Sequence, residues 1–218
     1  MRLLRNERGN TMILILGCLS IMSLLFIIIG SFANIFIQKE KSANNAEQAS
    51  ITASAIIFDS LQKAIDEYDA SLVGEIDFLD KSINEKIRKK IDQLRPSNPQ
   101  LSSVEIKHKA INSVLKEELS YNSDLANYIT QGLNEATSKI PSAVKENILN
   151  NQGEISNTEI RLFNQNNRVE VITSTKFKAL KFDKYFPDDK RAIKQVGEGN
   201  KFDFINELGG WEWHETFP

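Results

Sequence analysis

Residues 11–37 (TMILILGCLSIMSLLFIIIGSFANIFI) form a run of 27 positions without a charged side chain, and the other 191 residues carry all 56 charges of the chain. Only Thr11, Ser20, Ser23, Ser31 and Asn34 interrupt its apolar character. A helix rising 1.5 Å per residue needs about 20 apolar residues to cross a bilayer core, so this run is long enough to span with some tilt. The mean hydropathy of −0.32 therefore averages a segment suited to lipid with a segment suited to water.

The flanks set an expected orientation. Arg2, Arg5 and Arg8 against Glu7 precede the run, and Lys39, Glu40 and Lys41 follow it. The basic excess on the amino-terminal side predicts that residues 1–10 stay in the cytoplasm and residues 38–218 are exported, giving a single-pass cell-membrane protein. Two processing sites compete with a retained anchor. Ser31-Phe32-Ala33 has the small residues of a signal-peptidase site, but the apolar run before it exceeds the usual 7–15 residues. Gly17-Cys18 has the form of a lipoprotein site, yet little apolar sequence precedes it. The expectation is a retained signal-anchor, with Cys18 a small apolar residue facing lipid or a partner helix.

Composition excludes several classes. A net charge of −2 lacks the basic excess of a general nucleic-acid binder. One cysteine rules out an intrachain disulfide framework and a cysteine-rich zinc site.

Beyond the run, the apolar pattern thins into a stripe at Ala46, Ala49, Ala53, Ile56, Ile57, Leu61, Ala64 and Tyr68, spaced as one face of a helix. It resumes at Leu72, Ile76, Leu79, Ile83, Ile87, Ile91 and Leu94, with a weak point at Gly74 and an end at Pro96 and Pro99. Residues 38–95 are thus expected to form one extended helix or several. A second helical region over residues 100–150 has stripes at Val104, Ile111, Val114, Leu115 and Leu119, and at Leu125, Ile129, Leu133, Ala136 and Ile140. Pro141 is expected to close the latter, and Val144, Ile148 and Leu149 to form a last short helix. Asn150-Asn-Gln-Gly-Glu154 is turn chemistry.

Residues 155–218 change character. Residues 158–163 and 168–173 read as strands joined by Asn164-Gln-Asn-Asn167, hence a β-hairpin, with the second strand running on towards residue 180. Phe182, Tyr185, Phe186, Phe202, Phe204, Trp211, Trp213 and Phe217 make the tail aromatic-rich, and one hairpin face is available to pack them. The fold class expected is α+β: a long membrane-spanning helix continuing outside, a helical middle and a carboxyl-terminal antiparallel hairpin or small sheet.

Catalytic constellations are sparse. The lone cysteine lies in the apolar run, so no Cys–His nucleophile is available outside it. His108, between Lys107 and Lys109, reads as a surface histidine, and His214 as part of a fraying terminus. Asp188-Asp189 lacks the spacing of a calcium loop. Gly197-Glu-Gly-Asn200 lacks the strand–loop–helix context of phosphate binding and reads as a turn. Glu85, Lys86, Arg88, Lys89 and Lys90 read as a solvated helix face. No catalytic, cofactor-binding or metal-ligating residue is assigned, no enzyme activity or nucleic-acid partner is expected, and no small-molecule substrate is identified.

Glu7-Arg8-Gly9-Asn10, the uncharged span and the following KEKSANNAEQASITASA resemble the start of TadE/TadG-like proteins of the tight-adherence (Flp) pilus system. These share an Arg-Gly before the membrane helix and an Ala-rich, Gln/Asn/Asp-rich segment after it. The resemblance covers residues 5–57, with a weaker echo in Val169-Glu-Val-Ile-Thr173 and Phe177-Lys-Ala-Leu180. Cleaved members are cut after a Gly and carry a Glu five residues beyond. Counted from Gly9 that place holds Leu14, so the likeness is to uncleaved TadG-like members that remain anchored, and no mobility shift with prepilin peptidase is expected. The resemblance implies an envelope protein of bacteria, acting in pilus assembly through helix–helix contacts with other membrane proteins. Small residues outside the span suit such contacts, or else pack on the chain's own domain. The alternative function is an anchored extracytoplasmic binding or sensing domain that works with a membrane partner and uses the aromatic tail.

Overall fold

The structure is a computed structural model that describes residues 7–73, 82–176 and 192–218, with side chains from residue 11 onward. Its fold is α+β. Among the described residues four helices, α1 (Glu7–Ser71), α2 (Ile83–Leu94), α3 (Ser103–Glu118) and α4 (Ser123–Asn150), precede four strands, β1 (Glu159–Leu162), β2 (Arg168–Lys176), β3 (Ala192–Lys201) and β4 (Trp213–Thr216). A 3-10 helix, Asp203–Leu208, lies between the last two strands.

α1 is one unbroken helix of 65 residues, about 100 Å long at 1.5 Å per residue. It passes from the uncharged run into the head domain without a loop. Residues 11–29 are exposed on every face. From Ser42 onward one face is covered, and Ala46, Ala49, Ala53, Ile57, Leu61 and Ile65 are fully buried. The stripe of small residues above the span therefore packs on the chain's own domain, the second of the two arrangements open to it. α1 serves as the axis on which the head is built.

α4 lies antiparallel along α1. Side-chain bonds mark the pairing from end to end: Asn122 Nδ2 to the Tyr68 hydroxyl at 2.7 Å, Lys63 Nζ to Glu135 at 2.9 Å, Asn147 Nδ2 to Thr52 Oγ1 at 3.1 Å and Asn151 Nδ2 to Gln48 Oε1 at 2.7 Å. Gly132 sits at a close contact of the two helices; a Cβ there would stand 2.9 Å from Ala64 Cβ. Asn122 also caps α4, accepting from Leu125 N at 3.0 Å. The helix does not stop at Pro141 but continues through it to Asn150. The missing N–H and ring clash ordinarily break a helix. Here Ile140, Val144 and Ile148 are each fully buried on the same face, so burial beyond the proline holds the last turns in line. Leu149 is half exposed and belongs to no stripe, and Val104 at the start of α3 is likewise exposed. Ile106 and Ala110 fill the α3 stripe instead.

α2 begins on a buried carboxylate that the sequence pattern gave no reason to notice. Asp69 accepts from Ile83 N at 2.8 Å, Asn84 N at 3.0 Å and the Ser82 hydroxyl at 2.8 Å, meeting the free amides of the helix start. α2 ends at Leu94, before the prolines. Its charged face is more than solvated. Lys86 Nζ lies 2.7 Å from the largely buried Glu118 carboxylate and Lys90 Nζ 3.2 Å from Glu117, joining α2 to α3. Gly74, Ile76 and Leu79 lie outside the described residues.

The sheet is antiparallel in the order β3-β2-β1-β4. The β1–β2 hairpin stands as the sequence predicts. Asn164 Oδ1 accepts from Asn166 N at 2.9 Å and Arg168 N at 3.1 Å, and Phe163 and Asn167 adopt φ of 64° and 58°. β2 is described to Lys176; its continuation to residue 180, with Phe182, Tyr185, Phe186 and Asp188-Asp189, lies outside the described residues. Two further strands flank the hairpin. Gly197-Glu-Gly-Asn200 is not a turn but part of the carboxyl-terminal half of β3. Gly197 and Gly199 face inward against α1, and a Cβ on Gly199 would meet the Ser50 carbonyl oxygen at 2.6 Å. Glycine in a strand often marks such a close backbone approach. Ser42 Oγ to Thr173 Oγ1 at 2.8 Å and Asn200 N to Ser54 Oγ at 3.0 Å pin the sheet to the helix.

Candidate binding groove and anchor

An aromatic chain runs from the axis helix to the far end of the sheet. His108 stacks on Phe58 at 3.6 Å with the rings 4° from parallel. Phe58 meets Phe202 at 4.8 Å, Phe202 meets Phe163 at 5.4 Å, and Phe163 meets Trp211 edge-on at 5.6 Å. Phe202 and Phe204 are wholly buried, so much of the described aromatic tail is core. His108 is half-buried and shares a 3.1 Å hydrogen bond with Asn200, not the free surface residue its flanking lysines suggest. Burial, then the charge of Lys107, hold its pKa below the ordinary imidazole value, against opposing pulls from Asp59 and Glu105.

After the 3-10 helix, Gly209 and Gly210 adopt φ of 72° and 77°, a left-handed pair that only glycine takes readily. They swing the chain so that Trp211 and Trp213, the only two tryptophans of the protein, come beside the Asn164–Asn167 turn. Between them opens a groove of about 750 Å³. His214 is no frayed end: it sits in β4, opposite Arg161 of β1. The groove wall on the outer sheet face is a hydrogen-bonded polar cluster. Arg161 Nη2 donates to Glu159 at 2.7 Å and Nη1 to Glu170 at 3.1 Å. Asn164 Nδ2 bridges Glu170 at 3.2 Å and Glu198 at 3.3 Å. The bond from Arg161, followed by that from Lys194, holds the Glu159 carboxyl below the usual carboxylate range.

At the other end of the head, Phe36, Ile37, Glu40, Lys41, Asn44 and Asn151 line a second hollow where α1 leaves the uncharged run. Within the run, Ser20, Ser23 and Ser31 each donate to the carbonyl four residues earlier, at 2.8, 2.8 and 2.9 Å. These hydroxyls are satisfied inside the helix, as a lipid environment requires. Cys18 is exposed on the same stretch. One helix of the described residues is long and apolar enough to cross a membrane. Among the described residues no three His, Cys, Asp or Glu side chains gather as a metal site.

Sequence reasoning singled out the tryptophans and the asparagine turn separately. Their meeting was not legible, because 44 residues separate Asn167 from Trp211 and the connection between them includes an edge strand read as a turn. No protein-family model, curated protein or solved structure matches the chain.

Proposed function

We propose that this chain is a single-pass membrane protein of the cell envelope whose amino-terminal helix anchors an extracytoplasmic head. In this reading it acts as a non-enzymatic assembly component, after the manner of the TadE/TadG-like proteins its first 57 residues resemble. The observation that carries it is the continuity of α1. Its first half is uncharged and exposed on every face from residue 11 to residue 29, and its second half is the buried axis of the head. A helix shared in this way transmits any lateral contact made in the bilayer directly to the head. The alanine stripe above the membrane is occupied by α4 and the sheet, so partner contact is assigned to residues 11–37.

The test replaces residues 11–37 with an unrelated leucine-rich span of equal length. That variant keeps the anchor and the head, so it should still fractionate with membranes but lose crosslinks formed by a photoreactive residue at position 20 or 23. Unchanged crosslinks and unchanged biological activity would overturn the assembly reading. A second reading, an anchored binding domain, is favoured by the groove that the two tryptophans and the Asn164–Asn167 turn enclose.

A further inference from the structure

Three features of the groove bear on its ligand. Both tryptophans line it, partly buried against the core, and neither indole N–H has a hydrogen-bond partner among the described residues. The side-chain amides of Gln165 and Asn166 are likewise exposed and unpartnered there. Beside them, Arg161 Nη1 and Asn164 Nδ2 both donate to Glu170, which leaves their remaining donors available to a ligand. Its volume of about 750 Å³ falls within the usual range for ligand sites.

From these features we infer that the groove binds an uncharged glycan, a short run of neutral pyranose units in a polymer outside the bilayer. The inference rests on the binding-domain reading. Aromatic faces carry a negative quadrupole that attracts the polarised C–H face of a sugar ring. Planar amides, carboxylates and a guanidinium supply the paired donors and acceptors that hydroxyl and acetamido groups match.

Other occupants fit less well. Glu170, Glu198 and Glu212 against the single Arg161 give the lining an acidic balance, which repels phosphate-rich or uronate-rich polymers. Lipid headgroups are out of reach. The groove is tied through Phe202 to Phe58 on α1, 21 residues past the end of the uncharged run and so about 30 Å along the helix. Among the described residues β4 ends the sheet, so a peptide added as a strand would pair along its outer edge and not over β1, which is paired on both sides by β2 and β4.

The two tryptophans being the only ones, intrinsic fluorescence of the full-length protein in lipid nanodiscs reports on the groove directly. Titration with cellotetraose and with an N-acetylglucosamine tetramer is expected to give a saturable change for at least one. Gln165→Ala, whose side chain holds nothing in the fold, should weaken binding by about fivefold with an unaltered melting temperature. Trp213→Ala, followed by calorimetric titration, should weaken it by about tenfold. Saturation that neither variant disturbs would overturn the inference. A response only to polygalacturonate, polyphosphate or a lysine-rich peptide would overturn the glycan assignment and leave the binding-domain reading standing. No response to any of these probes would overturn both.

Discussion

Gly197 and Gly199 stand on the face of β3 that meets α1, where a methyl group on Gly197 would overlap the backbone of Ala46. Backbone cannot rotate away as a side chain does, so Gly197→Ala must push the strand off the helix. A loss of about 3 kcal/mol is expected by analogy with overpacked cores, read as a lowered urea midpoint with the same slope. The glycine pair was visible in the sequence, but as a turn, because a Gly-x-Gly reads the same whether it bends the chain or admits a neighbour. His108 carries a second residue-scale prediction. A base whose folded pKa is depressed contributes stability that is intact above its unfolded pKa, about 6.5, and is lost as pH falls through the folded value. The melting temperature of the parent should therefore decline as pH drops below 6.5. His108→Phe keeps the stacking on Phe58 and should remove that part of the decline. Identical pH profiles for the two proteins would show that the imidazole is not under strain.

At the scale of elements, α4 shows burial overriding a local break. Pro141 removes one helical hydrogen bond, yet the face continues from Ile140 to Val144 and Ile148 without a change of phase. Pro141→Ala restores the bond and relieves the ring clash, at the expense of a freer unfolded chain. A net gain of about 1–2 kcal/mol is expected, measurable as a raised urea midpoint; a loss would mean that the proline shapes a bend the packing needs. α1 makes the complementary point. Its stripe intervals predicted a helical face correctly, whereas nothing in those intervals distinguishes a face awaiting another protein from one covered by α4, 50 and more residues later. α2 was legible in its periodicity and its end, but not in its start, which depends on Asp69 folding back 14 residues onto Ile83.

Charge is divided along the whole molecule as apolar character is. Three arginines against one glutamate precede the uncharged run, and 24 basic against 28 acidic residues follow it. That asymmetry predicts a cytoplasmic amino terminus. Cys18 is the only cysteine, so Cys18→Ser clears the background for labelling. A cysteine placed at Ser103, exposed at the start of α3, should react with a membrane-impermeant maleimide in intact spheroplasts. Labelling only after lysis would invert the topology and remove the extracytoplasmic setting in which a glycan ligand makes sense.

What the sequence alone determined was whatever depends on a residue and its near neighbours along the chain. The charge-free run, the helical stripes, the alternating strands and the asparagine turn are all properties of single segments, because hydrophobic period and turn geometry act within a few residues. Tertiary structure alone decided which faces are covered, why two glycines sit in a strand, why a helix survives its proline and how two tryptophans meet an amide-rich turn. Each of those outcomes depends on contact between surfaces far apart in the chain, and no local pattern encodes which surfaces will meet.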